Sequence, residues 1–294
     1  MKKYYVVANP SSQNLAQNIA KKMHAKIFKT NLKIFPDGES KLTLSGNFDQ
    51  GTIIVVSSTG PPVDSNIVRT LLLVSKSREL SKKVIAVIPY LGYAKQDKEF
   101  LKGEIVTISI IAKLLKSAGA THLVLADFHS EDALKFFQIQ TKNISAIPEF
   151  VNHFRKYDLQ NPLVVAPDLF WKSHAKKLAE KLNASFISLN KQRDRKTGKL
   201  IIKSPPKKFS KMGDLILFDD MVSSGGTILK ALEVLKRKNF RNVYLVCTHP
   251  VFAGDAERKI KEAGVSEIIG TNSIEGKFST IDLSELICRE IQDW

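Results

Sequence analysis

The sequence contains no apolar stretch of the roughly 18 residues that a membrane span needs, because lysine, aspartate or proline interrupts every candidate. It also has only 2 cysteines in 294 residues. Cys247 lies in a strand-like run and Cys288 in a helix-like run, without the spacing of a metal site. We therefore expect two buried thiols in a reducing compartment, and a cytoplasmic protein rather than a membrane protein or a disulfide scaffold.

Acidic side chains are scarce as well. The chain has 29 Asp and Glu against 45 Lys and Arg, which gives a formal net charge of +16. Such a surplus suits a protein that binds polyanions, nucleic acids included. However, much of it lies in scattered pairs such as Lys21–Lys22 and Lys176–Lys177, and no basic run alternates with aromatic residues as in a single-strand binder. We therefore expect anionic small-molecule ligands, with no nucleic acid and no membrane as partner.

Two segments of the chain read alike. Residues 52–90 and 215–250 each run from a β-branched strand through a small-residue turn into a helical period and then into a second apolar strand. Continuous apolar strands are typical of parallel sheets that are buried on both faces. The sequence therefore predicts an α/β protein with two similar domains, residues 1–147 and 148–294, each a mostly parallel sheet flanked by helices.

The most informative motif is LILFDDMVSSGGT at residues 215–227. An apolar strand ends in Asp219 and Asp220, and a Ser/Gly turn then opens into a helix. Free backbone N–H groups and the positive end of a helix dipole bind phosphate, and glycines permit its close approach. The carboxylates add acceptors for sugar hydroxyls or ligands for Mg²⁺. The motif predicts a sugar-phosphate site, although a plain helix cap after a buried strand would have a similar pattern.

Three motifs in the first half are ambiguous when each is taken alone. FPDGE (35–39) is also a common kind of turn. PYLGYAKQDKEFLKGE (89–104) is a long polar loop after a buried strand, which suits an active-site cover. Asp127 and His129, in DFHS, end another strand, where they are either polar groups at the sheet edge or contacts to a metal or a phosphate.

Together and in this order, FPDGE, PYLGYAKQD, DFHS, APD and DDMVSSGGT resemble the ribose-phosphate pyrophosphokinase (PRPP synthetase) family over almost the whole chain. GEIVTISIIAKLL is similar to the short archaeal-type members. The resemblance implies two phosphoribosyltransferase-like domains. It also implies transfer of the β,γ-diphosphoryl group of Mg·ATP to the C1 hydroxyl of ribose 5-phosphate, with release of AMP.

The resemblance also implies roles for individual residues. ATP would be bound by Phe35, Asp37, Glu39, Lys95, Gln96 and Asp97. Ribose 5-phosphate would be bound by Asp219, Asp220, Ser223, Ser224, Gly225, Gly226 and Thr227. Mg²⁺ would be contacted by Asp127, His129 and Asp168, although Asp168 also has the pattern of an N-cap for a helix over 169–182. The catalytic cations would be Lys191 and Arg193, in a loop that closes over the triphosphate. Because the family's Phe35 equivalent reaches into a neighbouring subunit's site, a homo-oligomer, at least a dimer, is implied.

The chain departs from the family's pattern in three places: Leu169-Phe170-Trp171 replace small residues, Lys95 stands where Arg is frequent, and Ser223-Ser224 replace Asp-Thr or Ser-Thr. Bulky groups after Asp168 would narrow the site or alter its ribose contacts. A catalytically silent homologue is therefore one alternative. A phosphoribosyltransferase that consumes PRPP is another, although the duplication and FPDGE argue against it.

Overall fold

The computed structural model describes residues 3–189, 191–193, 200–202, 213–235 and 240–294, with the backbone alone for 191–193 and 200–202. The elements of the first 145 residues are β1 (Tyr4–Ala8), α1 (Gln13–Met23), β2 (Lys26–Ile34), β3 (Ser40–Ser45), β4 (Thr52–Val56), α2 (Val63–Leu80), β5 (Lys83–Val87), α3 (Thr107–Ser117), β6 (His122–Ala126) and β7 (Gln140–Ile144). Those that follow are α4 (Ile147–Phe154), β8 (Leu163–Ala166), α5 (Lys172–Lys181), β9 (Ser185–Ser188), β10 (Lys191–Arg193), β11 (Leu200–Ile202), β12 (Leu215–Val222), α6 (Gly226–Leu235), β13 (Val243–Pro250), α7 (Ala256–Glu262), β14 (Glu267–Thr271), β15 (Ser279–Ile281) and α8 (Ser284–Gln292).

The chain forms two compact units. Unit 1 comprises residues 1–145, 272–276 and 282–294, and unit 2 comprises residues 146–271 and 277–281. Helix α8, although it is the last element of the chain, thus belongs to unit 1, where it packs against α1. In the described part of the chain, no helix is long and apolar enough to cross a membrane.

Unit 1 is built on a seven-stranded sheet in the order β3-β2-β1-β4-β5-β6-β7. All neighbouring strands are parallel except β2 and β3, which form an antiparallel hairpin. β4 is buried along its whole length because both faces of the sheet are covered. Its apolar side chains pack with those of β5, α2 and α3 in one cluster that includes Ile53, Leu73, Ala86 and Ile108. This explains the absence of apolar and polar alternation in the strand.

Unit 2 is built on a six-stranded, fully parallel sheet in the order β15-β14-β13-β12-β8-β9. A separate antiparallel pair is formed by β10 and β11. The core of the unit joins the sheet to its helices through residues such as Leu217, Leu245, Ile228 and Ile260. The predicted α/β fold with two mostly parallel, helix-flanked sheets is confirmed.

The two sheets repeat the same plan, as the sequence predicts. In unit 1, β1 lies between β2 and β4, and in unit 2, β8 lies between β9 and β12. The repeated segments become β4-α2-β5 and β12-α6-β13, which occupy equivalent places. The parallel strands of each sheet therefore end at one edge, and the candidate site residues of each unit lie at that edge or on the loops and hairpin beside it.

Candidate active site

The acidic pair lies inside β12 rather than after it. The apolar run ends at Phe218, but the strand continues to Val222 because Asp219, Met221 and Val222 keep their parallel register with β13. Asp219 and Asp220 are 7% and 3% exposed. Each side chain accepts a hydrogen bond from the next backbone N–H, at 3.1 Å for Asp220 N and 2.7 Å for Met221 N. Two buried carboxylates are thus held at the carboxyl edge of the sheet.

The loop after the pair has the geometry of an anion cradle. Its carbonyls at Val222 and Ser223 accept hydrogen bonds from the N–H groups of Phe252 (2.9 Å) and Ala253 (3.2 Å), which fix the loop against the segment before α7. Gly225 has a φ of +75°. Helix α6 then begins at Gly226, and its first N–H groups have no acceptor within the helix. Residues 223–227 therefore combine backbone donors with the positive end of a helix dipole.

Asp168 lies at the same edge, after β8, which is the neighbour of β12. Its Oδ1 accepts hydrogen bonds from the N–H groups of Phe170 (3.0 Å) and Trp171 (3.3 Å). The predicted helix over 169–182 is shorter in the structure, Lys172–Lys181, and its N-cap is Trp171. Asp168 thus closes the turn that precedes the helix and does not cap the helix itself.

The three bulky residues after Asp168 take different environments. Trp171 is 1% exposed and packs with His174, whose ring is stacked at 3.7 Å, and with Phe218 at 6.1 Å. Leu169 and Phe170 are 50% and 52% exposed. Since Trp171 is part of the core, any effect of these residues on a ligand is confined to Leu169 and Phe170.

Cys247, on the neighbouring strand β13, has a thiol whose pKa is affected by the charges of the acidic pair. Its thiol is fully buried in β13, opposite Asp219. Burial raises the pKa of the thiol, and the negative charges of Asp219 and Asp220 raise it further.

Two other side chains at the end of β13, Thr248 and His249, are also buried there. No motif in the sequence singles them out, although their position in the repeat, at the end of the strand that follows the phosphate loop, is a usable signal.

Unit 1 carries the candidate ATP residues of the hairpin. Phe35, Asp37 and Glu39 form the turn between β2 and β3, where Phe35 N–H donates to the Glu39 carbonyl and Gly38 N–H to the Phe35 carbonyl, both at 2.9 Å. Glu39 N–H donates to Asp37 Oδ1 at 3.1 Å. Both carboxylates are exposed and the Phe35 ring is half-buried. Lys33 Nζ lies 4.9 Å from the centre of that ring.

The polar loop after β5 holds Lys95, Gln96 and Asp97. Thr107, the first residue of α3, donates to the Gln96 side chain at 2.6 Å. Lys95 and Gln96 are exposed. They line an open cleft of about 480 Å³ together with Lys98, Phe100, Glu104, Ile105 and Thr107. The structure thus places two of the three predicted residues beside a cleft that can admit a ligand.

Asp127 and His129 follow β6, as expected for the end of a strand. Asp127 is 2% exposed with a φ of +39°, and its N–H donates to the Ile144 carbonyl at 2.8 Å. His129 is half-buried. Among the described residues, no group of three or more His, Cys, Asp or Glu side chains is arranged to hold a metal ion. The metal roles of Asp127, His129 and Asp168 therefore stay predictions.

The predicted catalytic cations have a described backbone only. Lys191 and Arg193 are the ends of β10, which pairs with β11 from Lys191 opposite Ile202 to Arg193 opposite Leu200. Their side chains lie outside the described part of the chain.

The chain is similar to known proteins over almost its whole length. The family model for the N-terminal domain of ribose phosphate pyrophosphokinase matches residues 4–119, and that for the phosphoribosyl synthetase-associated domain matches residues 210–293. The chain is 33% identical to a ribose-phosphate pyrophosphokinase of Sulfurisphaera tokodaii, covering 97% of this chain and 99% of the relative. It is also 33% identical to one of Methanobrevibacter smithii, covering 98% and 100%. A phosphoribosylpyrophosphate synthetase from Mycobacterium smegmatis shares the fold, with a TM-score of 0.87, 24% identity and coverage of 99% and 98%.

Proposed function

This chain belongs to the ribose-phosphate pyrophosphokinase family, and from that membership we propose that it makes PRPP from ATP and ribose 5-phosphate. The main support for this proposal is the arrangement of residues at the carboxyl edge of the unit 2 sheet. There, two buried carboxylates directly precede a glycine-containing loop and the N-terminus of α6. This combination suits a sugar phosphate, because the loop and the helix bind the phosphate while the carboxylates accept hydrogen bonds from sugar hydroxyls.

In the proposed reaction, the C1 hydroxyl oxygen of ribose 5-phosphate forms a bond to the β-phosphorus of ATP. The bond between that phosphorus and the α,β-bridging oxygen breaks, AMP leaves with the electron pair, and the hydroxyl proton is released. The protein's part in such a displacement is to position the reactants and to neutralise charge. Residues 223–227 hold the 5-phosphate, Asp219 and Asp220 orient the ribose, and Lys191 and Arg193 neutralise the charge that develops on the phosphoryl oxygens.

We assign the nucleotide to the unit 1 residues. Phe35 stacks on the adenine, Asp37 and Glu39 accept from its exocyclic amine, and the loop at Lys95, Gln96 and Asp97 contacts the phosphates and ribose. In this proposal the hairpin serves the site of a neighbouring subunit, so that the active form is at least a dimer. The exposure of the hairpin supports its contact with a neighbouring subunit, since Ile34 beside Phe35 is 57% exposed. The cytoplasmic location expected from the sequence is part of the same proposal.

The residues present fit Mg²⁺ bound with the substrate. Mg²⁺ in phosphoryl-transfer sites is typically held by one or two carboxylates together with substrate phosphates, so a cage of protein ligands is not required. Asp168 supplies a partly exposed carboxylate, and Asp127 and His129 supply oxygen and nitrogen donors at the other sheet's edge. When bound, the ion would neutralise charge on the phosphate oxygens.

The test is ³¹P NMR of the protein with Mg²⁺, ATP and ribose 5-phosphate. Appearance of AMP with a new diphosphate ester on ribose C1 is the expected result. Appearance of ADP would mean transfer of the γ-phosphoryl group, and the proposed chemistry would be wrong. Binding of ribose 5-phosphate without turnover would instead identify a catalytically silent homologue and would draw attention to Leu169 and Phe170.

A pair of lysine variants tests the proposed catalytic residue. Lys191→Ala should lower kcat by about a hundredfold or more, since it removes charge that acts mainly in the transition state, while ribose 5-phosphate affinity stays nearly constant. Lys176→Ala is the matched control, because Lys176 is exposed on α5 and forms a surface ion pair with Glu180. An unchanged kcat in Lys191→Ala would show that the catalytic cation has been assigned to the wrong residue.

A further inference from the structure

Arg69, on α2, is a mostly buried guanidinium with uncharged partners. The residue is 9% exposed. Its Nε donates to Ser40 Oγ at 3.0 Å, and its Nη1 donates to Asn66 Oδ1 at 3.4 Å. Among the residues that the structure describes, no carboxylate lies within ion-pair distance of it. Burying a charge without a counter-ion is costly, so these hydrogen bonds hold a group that would otherwise favour water.

Asn66 extends this arrangement toward the loop after β4. It is 1% exposed, and its Nδ2 donates to the Gly60 carbonyl at 2.8 Å. Thr59, next to Gly60, is also 1% exposed. Its Oγ1 donates to the Tyr90 carbonyl at 3.1 Å and accepts from Gly92 N–H at 2.7 Å. Hydrogen bonds therefore link Ser40 to Arg69, Arg69 to Asn66, and Asn66 to Gly60. The peptide chain joins Gly60 to Thr59, whose hydroxyl bonds to the loop after β5.

The two ends of this path are the two proposed ATP segments of unit 1. Ser40 directly follows Glu39, the last residue of the FPDGE turn, and Gly92 lies three residues before Lys95. We propose that Arg69, Asn66 and Thr59 are positioning residues that hold the hairpin turn and the loop at Lys95 in a fixed relation, so that the hairpin is ready to bind nucleotide in the neighbouring subunit's site and the loop is ready to bind it in its own. This inference rests on the proposed function, which assigns both segments to ATP.

The turn cannot fix its own position. Its hydrogen bonds join Phe35 to Glu39, Gly38 to Phe35, and Glu39 to Asp37, so they set the shape of the turn only. The bond from Arg69 to Ser40 joins the base of the turn to α2 instead. The loop end also approaches α2 closely, because a Cβ on Gly92 would lie 2.5 Å from Val63 Cγ1. In a buried setting such hydrogen bonds are stronger than at the surface, and loss of one partner leaves the other unsatisfied.

The test compares substrate KM values in folded variants. Arg69→Met removes the donors with little change in volume, and Ser40→Ala removes one acceptor at a half-buried position where folding is not at risk. Both should raise KM for ATP about fivefold to tenfold, as the loss of a buried hydrogen bond predicts. KM for ribose 5-phosphate should stay within about twofold. Arg69→Lys, which keeps a donor, should restore part of the loss. Lys76→Met, at an exposed position of α2, is the matched control.

A double-mutant cycle tests whether the two ends are linked. Thr59→Val removes the hydroxyl at the loop end, and it should raise KM for ATP as well. If the path positions both segments together, Ser40→Ala combined with Thr59→Val should raise KM for ATP by less than the product of the single effects. Independent, multiplying effects would overturn the proposed link.

The outcomes separate this inference from the proposed function. If Phe35→Ala raises KM for ATP while Ser40→Ala and Arg69→Met leave it unchanged, the positioning role is refuted and the ATP site stands. If the variants alter kcat and both KM values alike, Arg69 has a general structural role and the inference is also refuted. If Phe35→Ala itself has no effect on KM for ATP, the proposed ATP site is wrong and the inference falls with it.

Discussion

Gly225 in the phosphate loop offers the sharpest test of the site's geometry, through substitution to alanine. Its φ of +75° lies in the left-handed region, where a side chain costs about 1–2 kcal/mol. A Cβ there would also lie 2.8 Å from Ile260 Cδ1 and 3.4 Å from Ile260 Cγ1. Because Ile260 is fully buried, it has little room to move, and overpacking of this kind costs about 1–3 kcal/mol. We therefore expect Gly225→Ala to lower the free energy of unfolding by about 2–5 kcal/mol.

Two further variants separate the backbone strain from the steric clash. Gly254→Ala is the matched control, since Gly254 has a φ of +61° with nothing within 4 Å of the added Cβ, so only the strain of about 1–2 kcal/mol should appear. Ile260→Val removes Cδ1 and alone should cost about 0.5–1.5 kcal/mol. Combined with Gly225→Ala it relieves the clash, so the double variant should be more stable than the sum of the single effects by about 1 kcal/mol.

Urea denaturation of the four proteins measures these differences, and steady-state kinetics measures their effect on the site. If the clash displaces the loop, KM for ribose 5-phosphate should rise about tenfold in Gly225→Ala and return toward its original value in the double variant. KM for ATP should change little. Equal losses of stability in Gly225→Ala and Gly254→Ala, with additive behaviour of Ile260→Val, would refute the argument that Ile260 limits the loop.

Three other perturbations have defined outcomes. Among the described residues, the buried Trp171 Nε1 has no hydrogen-bond partner, so Trp171→Phe should cost only the lost packing, about 1–2 kcal/mol in the free energy of unfolding; a loss above about 4 kcal/mol measured by denaturation would imply a partner for that N–H. Cys247 and Cys288 should not react with a thiol reagent at pH 8 until the protein unfolds, because burial raises the pKa of both thiols, that of Cys288 to about 12; rapid labelling of the native protein would contradict this. Burial lowers the pKa of His153 below its ordinary value of 6.5, so the unfolded state takes up its proton first and stability should fall as pH drops through about 6.5; a pH series on His153→Gln should show a shallower fall, and an unchanged slope would exclude this histidine as its source.

Local patterns predicted the repeated part of the fold well. The continuous apolar runs at β4 and β12 are readable because a parallel strand covered on both faces has no polar positions. The helix ends after α3 and α7 are readable because Gly119 and Gly264 supply the left-handed residues expected there, with φ values of +106° and +97°. These signals lie within a few residues of the features that they specify, and both halves of the chain carry them.

The details of the site depend on strand pairing and side-chain packing, which cannot be read from the local sequence. The residues that follow Phe218 look like the start of a polar loop, yet they remain in β12 because their neighbours in β13 continue the ladder. Likewise Trp171 looked like an obstacle beside Asp168, but it packs under α5 against Phe218. The sequence does not single out Arg69, since a single arginine in a helix resembles a solvated charge until its burial is known.

The placement of the last residues in unit 1 shows why chain order is a poor guide to packing. Glu275 is half-buried and accepts from Leu15 N–H at 2.8 Å, so a carboxylate from the end of the chain satisfies the N-terminal donors of α1. Burial raises its pKa, and those backbone donors partly offset the rise. Farther along, Lys22 pairs with Glu285 at 2.9 Å. Each partner alone reads as an ordinary surface charge. These contacts join residues some 260 positions apart in the chain and, with the packing of α8 against α1, place the last residues of the chain in the first unit.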